Sequence, residues 1–239
     1  MKYAKFIPNL FTFLNLFFGC VAIVQGLKGD LFLLAIFVLL GIICDFFDGF
    51  FARILKVNSQ LGVQLDSLSD LVTFGITPSI VMFSYLSNSD FILENSSHYL
   101  VKFVPYLSFI ITIASSYRLA KFNLDNSLNH FKGLPTPANA LFIVFLPFFF
   151  ELEFISNYSN LLENTVFLLI IISFFSYLLI SNIEMPSFKV SLSEFFIKNK
   201  ILKSLFILFS IGLLSWLSLG GFSPLILAYI VLGFLRIKL

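Results

Sequence analysis

The sequence predicts an all-α fold, a polytopic bundle of about eight transmembrane helices forming one integral membrane domain over residues 1–239. Two observations carry it. Hydrophobic residues make up 59% of the chain and charged residues only 12%, about half the charged share of an ordinary soluble domain. The apolar residues also fall in runs close to the roughly 20 residues that cross a bilayer as a helix. Those runs use nearly the whole length and leave no room for a sizeable soluble domain.

Eight segments follow in order: about 7–27, 30–53, 62–87, 98–121, 134–152, 164–182, 201–217 and 219–236. The first carries Asn9, Thr12 and Asn15 on one face and lacks a small-residue cleavage site, so it reads as a first span and not a removed signal. Cys20 and Cys44 lie in apolar runs and read as small core residues, not as a disulfide or metal pair. The last two segments are parted only by Leu219-Gly220-Gly221, as a tight hairpin or one broken unit. In the polar stretch 183–200, Phe195, Phe196 and Ile197 beside Lys198 and Lys200 predict a short interfacial helix.

Loop charge tests the count. With eight spans, thirteen of the fifteen basic residues lie on the side of the two termini, and only Lys28 and Lys102 lie opposite. Basic residues near span ends favour the cytoplasm, so both termini are expected there, in the cell membrane. A net charge of +2 argues against a nucleic-acid partner.

Chemistry concentrates where segments two and three meet. Asp45 and Asp48 are three residues apart, Asp66 and Asp70 four apart, so each pair shares a helix face. The short connection 54–61 folds the helices together and lets four carboxylates converge. Asp45 stands about 12 Å before Arg53 along the helix, near the border of hydrocarbon and headgroups, where ionised side chains are costly and mark function. Hard divalent cations would relieve both that cost and the mutual repulsion, and two of them could clamp a pyrophosphate. Helix capping or pairing with Lys and Arg would explain one or two of these aspartates, not four on facing helices. Gly49, Ala52 and Gly62 leave room for a nucleotide against the backbone, although helix packing alone would also explain Gly49. Arg53 can meet a phosphate bidentately.

The pattern Asp-x-x-Asp-Gly-x-x-Ala-Arg, eight residues, Gly-x-x-x-Asp-x-x-x-Asp resembles the signature of the CDP-alcohol phosphatidyltransferases, complete from Asp45 to Asp70. The resemblance implies a cytoplasmic-facing site and Mg²⁺ or Mn²⁺, two ions, on Asp45, Asp48, Asp66 and Asp70. It implies Asp70 as general base towards the acceptor hydroxyl, CDP-diacylglycerol as donor and CMP as leaving group. A narrower resemblance, to the membrane-integral phosphatidylserine synthases, rests on residues 7–15, 118–123 and 133–140. It implies L-serine as acceptor. Arg118 and Lys121 share a face at the end of segment four and could hold the serine carboxylate, with Asn123 beside them. Charge alone leaves glycerol 3-phosphate or another alcohol open.

Asn9, Thr12 and Asn15 could border the nucleotide, with capping or interhelical hydrogen bonding as the alternative. His98 is expected at the opposite interface, and His130 in the loop between segments four and five. Besides membrane lipids, a homodimer partner is left open. From another class, a carboxylate-site ion or metal transporter predicts repeats with polar groups in both halves. Here all four acids sit in one third of the chain. A non-catalytic scaffold leaves them unexplained.

Overall fold

The computed structural model describes residues 6–57, 59–124, 133–185 and 200–235, and every extended element among them is helical. The chain opens with α1 (Phe6–Leu27) and α2 (Leu31–Ile54). Asp30 caps α2 by accepting the Leu33 amide at 2.9 Å. The third segment is one apolar rod of 28 residues, α3 (Gln60–Asp70) and α4 (Thr77–Ser87) joined by a π-helical turn, Leu71–Ile76. Pro78, which has no N–H for the carbonyl four residues back, stands just after the widened turn. The short α5 (Asp90–Glu94) and a 3₁₀ stretch, Val101–Phe109, lead into α6 (Ile110–Leu124). Then come α7 (Thr136–Phe150), α8 (Thr165–Ile180), α9 (Lys200–Leu217) and α10 (Phe222–Phe234).

Five described stretches are long and apolar enough to cross a membrane, six if the bent pair Ser156–Leu162 and Thr165–Ile180 forms one span. Eight is reached only by adding the 15-residue α7 and by dividing the stretch Phe206–Phe234 in two. The local geometry favours that division. Ser218 has φ 50°, and a Cβ on Gly221 would lie 3.0 Å from the Leu213 carbonyl oxygen, so the chain turns back on itself there. The helix expected within 183–200 lies outside the described residues except at 183–185, which are not helical, and at Lys200, which opens α9, and His130 also lies outside them.

The bundle's outer surface is apolar, with Phe13, Phe17, Ile43, Phe46 and Ile113 exposed, as a lipid solvent allows. Cys44 is buried as expected. Cys20 is exposed on the outer face of α1, so it is not a core residue: in lipid, outward positions are as apolar as inward ones and composition does not separate them. His98 is exposed after α5, away from the aspartates in sequence and on no helix. The core stacks Phe142 of α7 on Phe175 of α8 at 4.1 Å between ring centres. The start of α7 is tied to the end of α8 by Leu134 N–H donating to the Leu178 carbonyl at 3.0 Å and Gly133 N–H to that of Ile183 at 2.9 Å. Gly133 sits at φ 76° with the Leu179 carbonyl oxygen 2.6 Å from any added Cβ, so no other residue fits there.

The packing that positions the site is a notch of small residues. Thr73, in the π turn, pushes against Gly19 of α1 and Gly41 of α2. A Cβ on Gly41 would come 2.6 Å from Thr73 Cγ2 and 3.0 Å from Asn15 Oδ1. Close backbone approach through small residues is the usual means of helix association in lipid. Gly41→Ala is expected to destabilise the protein by about 1–3 kcal/mol, as overpacking does. Thr73→Ser, which removes that methyl group and keeps the hydroxyl, should restore much of the loss. Unfolding midpoints in detergent for the two single variants and the double variant check this.

Candidate active site

The site forms where α1 crosses the end of α2 and the start of α3. Phe11 stacks on Phe51 with ring centres 5.2 Å apart and tilts against Phe47 at 5.6 Å, which holds α1 to the last turns of α2. Ser59 caps α3 by accepting the Gly62 amide at 3.0 Å. Fixed in this way, carboxylate oxygens of Asp45, Asp48 and Asp66 all fall within 4.8 Å of one another. Asp48 is buried, and Asp45 and Asp66 are half-buried.

Asp70 stands beside this triangle, not within it. It is buried one turn deeper on α3, accepts the Asn15 Nδ2–H at 3.1 Å, and feels the charges of Asp45, Asp66 and Asp48. The four predicted carboxylates therefore gather in one place but divide into three clustered groups and one apart.

α1 holds the cluster from behind. Thr12 donates its hydroxyl to Asp48 Oδ2 at 2.8 Å. Ser69 donates to the Thr12 carbonyl at 2.9 Å and Thr73 to that of Asn15 at 3.0 Å. Thr12 and Asn15 are thus ligands of carboxylates. Sequence reasoning left Ser69 and Thr73 unnoticed. The signal was there in Asp66, Ser69, Asp70, Thr73 and Thr77, a polar stripe at three- and four-residue spacing along an otherwise apolar segment.

A cleft opens on the cluster, lined by Asn9, Thr12, Asp48, Gly49, Ala52, Gly62 and Asp66 among others. Of the seven residues expected to border a nucleotide, five line it. Arg53 is exposed, with Nη1 3.3 Å from where a Cβ on Gly49 would sit, so its guanidinium lies back over Gly49. Asn15 lies deeper, on Asp70. A side chain on Gly62 would meet Ser59 Oγ at 2.9 Å and Asn9 Oδ1 at 3.4 Å, so Gly62 keeps the cap and the cleft wall in place.

The donor set fits a divalent cation. Oxygens on opposite sides of one hard cation lie about twice the bond length apart, about 4.2 Å for Mg²⁺ and up to about 5 Å for Ca²⁺. The three carboxylates, within 4.8 Å of one another, lie inside the upper of these spans, and hard oxygen ligands are what such ions take.

The three residues expected at the acceptor separate. Arg118 of α6 is half-buried, donates Nη1–H to Thr136 Oγ1 at 3.5 Å and lies in the field of Asp70. Lys121 is exposed and donates to Asn182 Oδ1 at 3.3 Å. Asn123 donates to Ser67 Oγ at 2.9 Å, which ties α6 to α3 one residue beyond Asp66.

The chain is similar to known proteins. The family model for CDP-alcohol phosphatidyltransferase matches residues 5–178. The chain is 32% identical over 192 residues to a CDP-diacylglycerol–serine O-phosphatidyltransferase of Bacillus subtilis, covering 80% of this chain and 95% of that protein. It is 28% identical over 187 residues to the enzyme of the same name from Helicobacter pylori, covering 76% and 72%. It is 31% identical over 183 residues to an archaetidylserine synthase of Methanothermobacter thermautotrophicus, covering 75% and 69%.

Partners that orient metal-binding carboxylates commonly govern affinity ten- to a hundredfold. Thr12→Val, which keeps the shape and removes the donor to Asp48, is expected to weaken Mn²⁺ binding by about that factor. Titration of free Mn²⁺ by electron paramagnetic resonance reads it, and equal affinity in parent and variant would remove Thr12 from the site's support.

Proposed function

The chain belongs to the CDP-alcohol phosphatidyltransferase family, and we propose that it transfers a phosphatidyl group from CDP-diacylglycerol to L-serine, giving phosphatidylserine and CMP. The observation that carries this reading is the triangle of Asp45, Asp48 and Asp66, of which Asp48 and Asp66 line a cleft walled by further signature residues, with Asp70 buried beside it.

In this reading the four aspartates would hold two divalent ions, Mg²⁺ or Mn²⁺, which would supply charge neutralisation on the pyrophosphate and its leaving group. The donor's cytidine diphosphate lies in the cleft over Gly49, Ala52 and Gly62, with Arg53 at the rim against a phosphate oxygen. Asn9 and Thr12 wall the cleft from α1. Asp70 takes the proton from the serine hydroxyl. The serine oxygen bonds to the phosphorus that carries diacylglycerol, the bond from that phosphorus to CMP breaks, and CMP leaves. Asn15 fixes the carboxylate of Asp70 throughout.

Two things favour serine over glycerol 3-phosphate. The relatives above carry serine or archaetidylserine in their names. Within α6, moreover, one guanidinium lies near Asp70, while Lys121 is turned to Asn182. One Arg matches a carboxylate bidentately; an acceptor bearing a phosphate dianion would call for more positive charge. Lys121 and Asn123 then border the acceptor site without gripping the acceptor. The excess of basic residues at one end of the eight expected spans supports a site at the cytoplasmic face of the cell membrane, with both termini on that side.

Purified protein given CDP-diacylglycerol, Mn²⁺ and labelled alcohols tests the proposal. Phosphatidylserine and CMP should form in equal amounts from serine, and transfer to glycerol 3-phosphate with none to serine would overturn the acceptor assignment. Arg118→Lys keeps the charge and loses the fork, so the KM for serine should rise tenfold or more, in line with about 1.4 kcal/mol for one lost charged contact, with that for CDP-diacylglycerol little changed. Asp70→Asn should lower turnover by orders of magnitude and leave CDP-lipid binding largely intact.

A further inference from the structure

The rod that carries Asp66 and Asp70 widens immediately after them. From Leu71 to Ile76 the turn is π-helical, and at its end the Thr77 N–H donates to the Val72 carbonyl, five residues back. Such turns are rare in helices and frequent at functional sites. Pro78 follows and brings no N–H. Side chains supply donors to the carbonyls here. Thr77 donates its hydroxyl to the Val72 carbonyl at 3.2 Å, and Ser79 its hydroxyl to the Gly75 carbonyl at 2.9 Å.

A second hydroxyl reaches Gly75 from another helix. Thr112 Oγ1 of α6 lies 3.2 Å from the Gly75 carbonyl oxygen and 2.7 Å from Ser79 Oγ. Two hydroxyl hydrogens are thus shared among three oxygens, in one knot between α6, the π turn and α4. α6 comes close at this point: a Cβ on Gly75 would lie 3.2 Å from the Ser115 Cβ. Another tie between α6 and the rod runs from Asn123 to Ser67 at 2.9 Å. The two ties fall five residues after Asp70 and three before it, so α6 grips the rod on both sides of that carboxylate. Asn15 of α1 donates to it at 3.1 Å. Register matters to this arrangement. Were the π turn to close to an ordinary α-turn, one side of the rod would rotate by about 100° and shift by about 1.5 Å against the other. Such a change would take Asp70 off Asn15.

We propose that Thr112 is a positioning residue for Asp70: with Ser79 it holds the Gly75 carbonyl, keeps the turn π-helical, and so keeps the proposed base in register with the acceptor hydroxyl. Gly75 and Ser79 are buried and Thr112 is half-buried, and a carbonyl that loses a donor in such surroundings finds no water to replace it. Thr112 acts only through the backbone of the turn. Asp66 lies one helical turn further from Gly75, on the side capped by Ser59, so a change in the π turn reaches Asp70 first. The inference rests on the role given to Asp70 above and adds the residue that keeps it in place.

The experiment follows CMP release and phosphatidylserine formation in the full chain, with Mn²⁺ affinity read separately by electron paramagnetic resonance. Thr112→Val keeps the shape and removes the hydroxyl. It should lower kcat about tenfold or more, because reacting groups tolerate little misplacement. The KM values for CDP-diacylglycerol and serine, and the Mn²⁺ affinity, should stay within about twofold of the parent. Thr112→Ser keeps the hydroxyl and should retain kcat within about twofold. Ser79→Ala removes the partner hydroxyl and should show the same split as Thr112→Val. Parent-like kcat in Thr112→Val, or in Ser79→Ala where the valine variant does not fold, would overturn the inference and leave the transferase reading standing. So would kcat, both KM values and Mn²⁺ affinity worsening together, since that marks a general loosening of the bundle. A parent that releases no CMP and makes no phosphatidylserine would end both.

Discussion

Mutual repulsion among carboxylates is the constraint on which the rest of the structure depends. Two unit charges about 4 Å apart at a protein–lipid boundary repel by roughly 4 kcal/mol at an effective dielectric of about 20. Asp45, Asp48 and Asp66 bring three such groups within 4.8 Å, with a fourth, Asp70, adjoining. A chain that places them together must also supply what keeps them there. Divalent ions would supply enough charge, and the surrounding protein holds the carboxylate oxygens close together at fixed positions.

That support comes mostly from α1, which contributes no carboxylate. Thr12 and Asn15 each donate to one aspartate, while their own carbonyls receive Ser69 and Thr73. The exchange works only at short range, which is why Gly19 and Gly41 meet Thr73 with no side chain between. The π turn after Asp70 carries Thr73 and Gly75, so one local widening serves both the notch behind the carboxylate cluster and the close approach of α6 at Ser115. Asp66, Asp70 and Thr73 then follow one another along the rod from α3 into the π turn.

Much of this was legible in the sequence because helix geometry fixes it locally. Three- and four-residue spacing put Asp45 with Asp48 and Asp66 with Asp70, and a short connection forced the pairs together. Gly49, Ala52 and Gly62 were legible as clearance for the same reason, and the apolar runs gave the helices. What depended on contacts between distant segments was not legible. Nothing in the spacing says that Asn15 answers Asp70 and not a nucleotide, that Lys121 turns to Asn182, or that Asn123 joins Ser67. Cys20 faces outward because apolar composition marks both faces of a helix in lipid. The number of spans stayed ambiguous where a short helix, α7, and a reversal at Ser218 depart from simple length rules.

The central claim is that this fold accepts a repulsive cluster because a cation repays it. Thermal unfolding in detergent, with and without Mn²⁺, tests it on the parent and on a variant in which Asp45, Asp48 and Asp66 are all changed to Asn. An ion at a hundred times its dissociation constant stabilises by about 2.7 kcal/mol, so the parent's midpoint should rise by several degrees with Mn²⁺. The variant should ignore the ion and, without it, unfold above the metal-free parent, since its repulsion is gone. A parent indifferent to Mn²⁺, with a triple variant no more stable than the metal-free parent, would contradict the account.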